Sequence, residues 1–208
     1  MNADRLRGLY AITDERLMDE NNFLIKAESA LLGGARLIQY RDKSHHAEKR
    51  LRQASALKLL CQKNNCLLII NDDIALANAV QADGLHLGRD DAAIDQAREQ
   101  LGEAAIIGVS CYDQIELATK AERAGANYVA FGAFFPSPTK PQAATASLDL
   151  LKTAKQQLQI PICGIGGITT DNAHLLIEQG ADMTAIITDL FASHDIQKTA
   201  SQITHLFS

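Results

Sequence analysis

Apolar and polar positions follow each other in blocks along the 208-residue chain. Short runs rich in Val, Ile and Phe are mostly continuous rather than alternating, as expected for strands that are covered on both faces. The longer segments between them repeat apolar residues at helical spacing. The predicted strands cover residues 9–13, 36–41, 66–71, 84–88, 105–111, 128–135, 160–166 and 184–188. The predicted helices cover residues 20–33, 45–63, 74–81, 91–100, 113–124, 147–157, 170–179 and 195–206.

A glycine-alanine pair ends three of the predicted helices just before a strand, at Gly34-Ala35, Gly125-Ala126 and Gly180-Ala181. Glycine accepts the left-handed conformation that stops a helix. Eight strands alternating with eight helices, at about 26 residues per unit, predict an α/β protein with a single (β/α)8 TIM barrel over residues 1–208. The alternative is an open doubly wound sheet. It is disfavoured because the first βα turn has no G-x-G-x-x-G, and six strands normally suffice for that fold.

Composition narrows the classes of function. The net charge of −5 argues against a nucleic-acid-binding surface, so phosphate binding has to come from a few locally placed cations. No apolar run approaches the roughly 20 residues that span a bilayer, and the N-terminus lacks a signal core, so a cytoplasmic location is expected. The four cysteines have neither C-x-x-C nor zinc spacing and are expected to be reduced, buried thiols.

Polar residues collect where the predicted strands end, which is the face that carries the chemistry of a TIM barrel. Strand 2 ends in the segment Gln39-Tyr40-Arg41-Asp42-Lys43. Alternation along the strand places Gln39, Arg41 and Lys43 on one side, so that an amide and two cations converge on one ligand. A solvated strand end is the simpler explanation for a single charge. An ordered trio after a buried run favours a binding site.

Two pairs of acids follow the next two strands, Asp72-Asp73 after strand 3 and Asp90-Asp91 after strand 4. Carboxylates that face one opening are hard oxygen ligands suited to Mg²⁺. They are also favoured N-caps for the helices that follow. We expect capping to use one acid of each pair and to leave the other free for a metal ion, with the choice within each pair open.

The later strand ends carry hydroxyl groups, a lysine and glycines. Ser110 ends strand 5, either as a ligand donor or as a structural hydroxyl. The loop 134–141 holds three prolines and presents Ser137, Thr139 and Lys140, groups suited to a phosphate; a plain rigid turn is the alternative. The glycines of 164–167 after strand 7 free backbone N–H groups for a phosphate beside a helix N-terminus. Strand 8 ends at residue 188.

The six histidines predict no catalytic triad, and surface or core positions are expected for all of them, including His86 inside strand 4. No nucleophile elbow is present either.

Six motifs occur in order between about residues 9 and 191: Q-Y-R-D-K, I-N-D-D, G-L-H-L-G-R-D-D, G-V-S, F-P-S-P-T-K-P and G-I-G-G-I-T. In their order and spacing they resemble the thiamine phosphate synthase family. The resemblance implies a transferase of thiamine biosynthesis that joins an aminopyrimidine diphosphate to a thiazole phosphate, or its carboxylated form, with release of pyrophosphate. It implies Mg²⁺ as the cofactor and small phosphorylated molecules as the partners. No nucleic acid or membrane is implied, and a homo-oligomer stays open.

The resemblance also assigns roles to single residues. It implies that Asp72 and Asp91 bind the metal. The aminopyrimidine diphosphate is held by the strand 2 segment Gln39, Tyr40, Arg41, Asp42 and Lys43, with Asn71, Ser110 and Lys140. The thiazole phosphate is held by Ser137, Pro138, Thr139, Gly167, Ile187 and Thr188. The catalytic groups among these are Arg41, Lys43, Ser110 and Lys140, which act electrostatically because the thiazole nitrogen needs no base to attack.

Three other functions remain on the same barrel. A thiazole tautomerase-like isomerase would keep the phosphate site without needing the cations and acids of strands 2 to 4. A Schiff-base aldolase would use Lys43 or Lys140. A non-catalytic sensor of thiamine intermediates would bind the same ligands without releasing pyrophosphate.

Overall fold

Eight parallel strands close into a barrel in the computed structural model, which describes residues 5–88, 92–136 and 146–208. Each strand pairs with the next along the chain, and the last pairs with the first. The predicted TIM barrel is therefore confirmed. The strands are β1 (Gly8–Ile12), β2 (Leu37–Tyr40), β3 (Leu67–Asn71), β4 (Gly84–Leu87), β5 (Ile106–Tyr112), β6 (Tyr128–Phe131), β7 (Ile162–Ile165) and β8 (Met183–Ile186). The helices are α1 (Phe23–Leu32), α2 (Ala47–Lys63), α3 (Ile74–Ala79), α4 (Ala92–Leu101), α5 (Ile115–Arg123), α6 (Asp149–Gln157), α7 (Ala173–Glu178), α8 (Thr188–Phe191) and α9 (Ile196–His205).

The strands bury side chains on both faces, which explains their continuous apolar runs. Leu9, Ile38 and Leu85 pack in the layer between the barrel and the helices. Their neighbours Tyr10 and Leu37 belong to a second cluster inside the barrel. The separation follows the two-residue period of a strand. Within the described ranges, none of the helices has the length and hydrophobicity that a bilayer crossing needs.

The three predicted glycine-alanine turns form as expected. Gly34, Gly125 and Gly180 have φ angles of 99°, 91° and 101°. The N–H groups of the following alanines donate to the carbonyls of Ala30, Ala121 and Leu176, at 2.9 to 3.1 Å. This is the Schellman arrangement, which satisfies carbonyl groups at the end of a helix and turns the chain into the next strand.

Two strands end at least two residues before their predicted C-terminal ends. The strand predicted over 128–135 ends at Phe131, because Gly132 (φ 155°) brings the chain so close to the Ile165 backbone that a Cβ there would overlap it. The strand predicted over 184–188 ends at Ile186, and the unpredicted helix α8 begins at Thr188. A distant contact holds this helix: Lys26 Nζ donates to the carbonyl of Phe191 at 3.1 Å.

A repeated set of contacts ties helices to the barrel at the end where the strands begin. In each set, a side-chain oxygen just before one strand accepts the first or second N–H of the preceding strand and also binds a helix cation. The three sets are Asp83 with Leu68 N–H and Lys58, Asn127 with Ile107 N–H and Arg98, and Asp182 with Ile162 N–H and Lys155. These bonds satisfy backbone donors that would otherwise be buried without partners. They lie opposite the rim where TIM barrels carry their chemistry, so their role is stability.

We therefore predict that Asp83→Ala lowers the free energy of unfolding by about 1–3 kcal/mol, because Leu68 N–H and Lys58 both lose their acceptor. Denaturant unfolding followed by circular dichroism measures the change. The exposed Glu99 of α4 supplies a control in Glu99→Ala. A loss for Asp83→Ala no larger than that of the control would contradict the assignment.

Candidate active site

Three predicted binding residues lie near the ends of their strands, Gln39 on β2, Asn71 on β3 and Ser110 on β5. Asn71 pairs in register with His86 on β4. Ser110 Oγ lies 2.9 Å from Nε2 of the same histidine. The backbone N–H of Asp72 donates to the His86 carbonyl at 2.9 Å. The structure thus brings Asn71, Asp72 and Ser110 together around His86.

A row of hydrogen bonds crosses the barrel interior from Gln39 to Ser110. Gln39 Nε2 donates to Tyr10 Oη at 2.8 Å, and Tyr10 Oη lies 2.9 Å from Tyr128 Oη. Tyr128 Oη lies 2.9 Å from Nδ1 of His86, whose Nε2 contacts Ser110. His86 is only 9% exposed, so of the surface and core positions expected for the histidines it has a core position. Its bond to Ser110 was not predicted.

Burial keeps the central groups of this row neutral near pH 7. Burial lowers the pKa of His86 to about 4, and the charge of Asp72 opposes the shift only in part. Burial also raises the pKa of the Tyr10 and Tyr128 phenols well above the usual value. An uncharged imidazole carries a single N–H, so its two nitrogens have different roles.

The end of β2 is fixed by a residue that the sequence analysis missed. Thr13 Oγ1 accepts the backbone N–H of Arg41 at 2.9 Å and donates to the Arg41 carbonyl at 3.3 Å. Thr13 is a buried polar residue directly after β1, and this position is the only sequence signal for its role. A bond from Arg16 lowers the pKa of the neighbouring Asp14, and the Arg41 charge adds to this effect. Lys43 is exposed beyond Arg41.

The side chains of Tyr40 and Asp42 face the helices rather than the rim, and their contact with substrate stays a prediction. The Tyr40 hydroxyl donates to Gln53 Oε1 at 3.0 Å, and its ring meets Phe23 edge-on with centroids 5.8 Å apart. The Asp42 carboxylate pairs with Lys49 Nζ at 2.8 Å. Burial raises the pKa of Asp42, but hydrogen bonds led by that from Lys49 outweigh it, and the pKa lies below its usual range. Strand alternation separates both residues from their neighbours in the same motif.

The two acids after β3 have different roles. Asp73 is the N-cap of α3, where it accepts the Leu76 N–H at 2.9 Å, and it pairs with Arg50 at 2.8 Å. Its carboxylate is therefore committed to the helix, as expected for one acid of the pair.

Asp72 is the acid left for the rim. It is exposed and has a φ of 60°, and its Oδ2 accepts from Asn71 Nδ2 at 2.7 Å. A Cβ built on Gly88 would lie 4.0 Å from Asp72 Oδ1, which places the carboxylate beside the end of β4. A carboxylate in this position fits a hard divalent cation. Its predicted partner Asp91 lies outside the described residues, and those residues contain no group of three or more potential metal ligands.

The turn after β7 is held against the start of α8, next to β8. Gly167 has a φ of 64° and lies so close to the carbonyls of Phe135 and Pro136 that a Cβ would overlap them. Asn172 Nδ2 donates to the Gly167 carbonyl at 3.0 Å, and the Thr170 N–H donates to Asp189 at 3.1 Å. Gly167 is therefore brought near the predicted residues Ile187 and Thr188. The predicted residues Ser137, Pro138, Thr139 and Lys140 lie outside the described residues.

Comparison with known proteins gives consistent results. A family model described as thiamine monophosphate synthase matches residues 9–190. The chain is 48% identical over 205 residues to a thiamine-phosphate synthase of Thioalkalivibrio sulfidiphilus, covering 99% of this chain and 97% of the relative. It is 51% identical over 203 residues to that of Chromobacterium violaceum, covering 98% and 97%. The solved structure of a thiamine phosphate pyrophosphorylase from Pyrococcus furiosus superposes with a TM-score of 0.89 at 32% identity, covering 99% and 98%.

We predict that Tyr40→Phe lowers the free energy of unfolding by about 1 kcal/mol, because the buried bond to Gln53 is lost. The same variant should keep kcat/KM within about twofold, because the ring faces α1 and α2 rather than the rim. Thermal unfolding and steady-state assays measure the two effects. A large loss of activity with unchanged stability would show instead that the Tyr40 hydroxyl acts in the site.

Proposed function

Because the chain belongs to the thiamine monophosphate synthase family, we infer that it joins an aminopyrimidine diphosphate to a thiazole phosphate. The products are thiamine phosphate and pyrophosphate, so the protein is a transferase. The observation that carries this conclusion is the 48% identity to a curated thiamine-phosphate synthase over nearly the full length of both chains.

The reaction forms a C–N bond and breaks a C–O bond. The thiazole nitrogen attacks the methylene carbon of the pyrimidine with its own lone pair, and the C–O electrons leave with pyrophosphate. The nucleophile carries no proton at that nitrogen, so the step requires no base. The remaining barrier is the charge of the leaving group, and fixed cations and hydrogen-bond donors are effective against it in a closed site.

We assign this charge stabilisation to Arg41, Lys43 and Lys140, with Ser110 donating a hydrogen bond. Gln39 and Asn71 position the aminopyrimidine diphosphate. The support for these roles is the location of Gln39, Asn71 and Ser110 near the ends of β2, β3 and β5, together with the anchoring of Arg41 by Thr13.

Mg²⁺ is proposed as the cofactor, held by Asp72 and Asp91. When bound, it supplies positive charge to the departing diphosphate. The support comes from the division between the two acids after β3: Asp73 caps α3, whereas Asp72 lies at the rim beside Gly88. Asn71 donates to Asp72 and orients its carboxylate.

The thiazole phosphate is proposed to bind at Gly167, Ile187 and Thr188, together with Ser137, Pro138 and Thr139. The support is the turn at Gly167, which Asn172 fixes and which contacts α8 through Thr170. Backbone amides and a hydroxyl at the ends of β7 and β8 form the usual phosphate site of a TIM barrel.

The decisive experiment mixes the two phosphorylated heterocycles with the protein, with and without Mg²⁺, and measures pyrophosphate and the condensed product together. Equal amounts of both, dependent on Mg²⁺, are expected. Binding of either substrate without pyrophosphate release would indicate a sensor instead, and conversion of the thiazole phosphate alone would indicate an isomerase. The cytoplasmic location and the homo-oligomeric state stay predictions.

The two neighbouring acids allow a matched test of the metal site. Asp72→Ala should raise the Mg²⁺ concentration needed for half-maximal activity about tenfold or more, because a ligand is lost. Asp73→Ala removes the same group one residue away and should cost about 1 kcal/mol of stability through the lost N-cap, with an unchanged Mg²⁺ titration. Identical titrations for the wild type and Asp72→Ala would refute the ligand assignment.

A further inference from the structure

A glycine lets two polar side chains meet inside the barrel. Gly108 on β5 pairs in register with His86 on β4 and with Tyr128 on β6. A Cβ at Gly108 would overlap the Tyr128 ring, so the ring occupies the space of the missing side chain. The Tyr128 hydroxyl thereby reaches across β5 to His86, with the two rings stacked at 5.6 Å and 28°.

The bonds that Tyr10 makes with Gln39 and Tyr128 determine which group donates in each hydrogen bond of the row. Gln39 supplies a hydrogen to the Tyr10 oxygen. Tyr10 is 1% exposed, and its hydroxyl contacts Gln39 and Tyr128 among the residues that the structure describes. Since the contact to Gln39 already uses a Gln39 hydrogen, the hydrogen of Tyr10 goes to the Tyr128 oxygen. Tyr128 in turn donates to Nδ1 of His86. The opposite order would bury the Tyr10 hydroxyl hydrogen without an acceptor.

This direction fixes the tautomer of His86. Nδ1 accepts a hydrogen bond, so the single hydrogen of the neutral ring is on Nε2. Nε2 then donates to Ser110 Oγ over 2.9 Å. The hydrogen of Ser110 is not used by the histidine, and Ser110 is only partly buried at the rim.

We propose that His86 is a positioning residue that, held by Tyr128 and Tyr10, makes Ser110 a hydrogen-bond donor toward an anionic oxygen of the diphosphate substrate. The proposal rests on the proposed function, because it needs an anion at Ser110. With the opposite tautomer, Ser110 would donate to His86 and present only lone pairs to that anion, which repels them. Neither His86 nor the tyrosines contact the substrate. They act through the serine.

The first test determines the tautomer without any activity measurement. Nitrogen-15 NMR of the histidine-labelled, substrate-free protein distinguishes a ring protonated on Nε2 from one protonated on Nδ1. The His86 signals are identified as those that shift in Ser110→Ala, which loses the hydroxyl bound to Nε2. Protonation on Nε2 is expected. Protonation on Nδ1 would overturn the proposal, whereas an absence of pyrophosphate release by the wild type would overturn the proposed function instead.

The second test is a double-mutant cycle. Tyr128→Phe and Ser110→Ala are each expected to lower kcat/KM about tenfold, since Ser110→Ala removes the donor to the charged oxygen and Tyr128→Phe removes the bond that sets the direction of that donor. Combined, they should lose little more than Ser110→Ala alone, because Tyr128 acts through Ser110. Multiplicative losses would contradict the proposal, as would an unchanged activity of Tyr128→Phe.

Tyr40→Phe is the matched control for this cycle. It removes a buried tyrosine hydroxyl that donates to Gln53 on the outer side of the barrel, and any loss of activity should multiply independently with that of Ser110→Ala. If Tyr128→Phe does not fold, Tyr10→Phe breaks the same row one bond earlier and is read in the same way. An activity of Tyr10→Phe equal to that of the wild type would count against the proposal.

Discussion

The structure depends on one geometric constraint: successive side chains on each strand of a closed barrel point alternately inward and toward the helices. This alternation puts Gln39 inside and Tyr40 outside, although the two residues are neighbours in one motif. It also puts Tyr10, His86 and Tyr128 inside, where no water is expected to satisfy them. Buried polar groups need partners, and these side chains find them in each other.

The two ends of the barrel divide stability from chemistry. Where the strands begin, the side chains of Asp83 and its two counterparts bind backbone N–H groups and helix cations. Where the strands end, Asp73 caps the N-terminus of α3, and Asp72 lies at the rim. The same residue type thus serves three purposes, and the surrounding backbone decides which. An acid facing an unsatisfied N–H is structural, and an acid beyond the last paired strand residue is available to a ligand.

The sequence predicted the barrel because its signals are local: continuous apolar runs, helical spacing and the glycine-alanine turns. Strand ends were less accurate where a β-branched run continues past the last paired residue, as at Ile187 beyond β8. The choice between Asp72 and Asp73 stayed open in the residue pattern, because capping depends on the residue at which α3 begins. Tyr40 and Asp42 were included because the motif was taken as a whole, although strand alternation turns their side chains toward the helices. The bonds of His86 were invisible, since its partners are 42 and 24 residues away in the chain.

The polar row inside the barrel is not required by the fold. Branched apolar side chains fill the interiors of TIM barrels and satisfy the packing requirement without any hydrogen bonds. A buried polar row brings little net stability over well-packed apolar residues and is costly when a single member is unpaired. This barrel also gives up a side chain at Gly108 to let Tyr128 and His86 meet. Unlike apolar packing, the row fixes which group donates in each of its hydrogen bonds. The last of these bonds is the one from His86 to Ser110 on the rim. A function at the rim is therefore a better explanation of the row than stability.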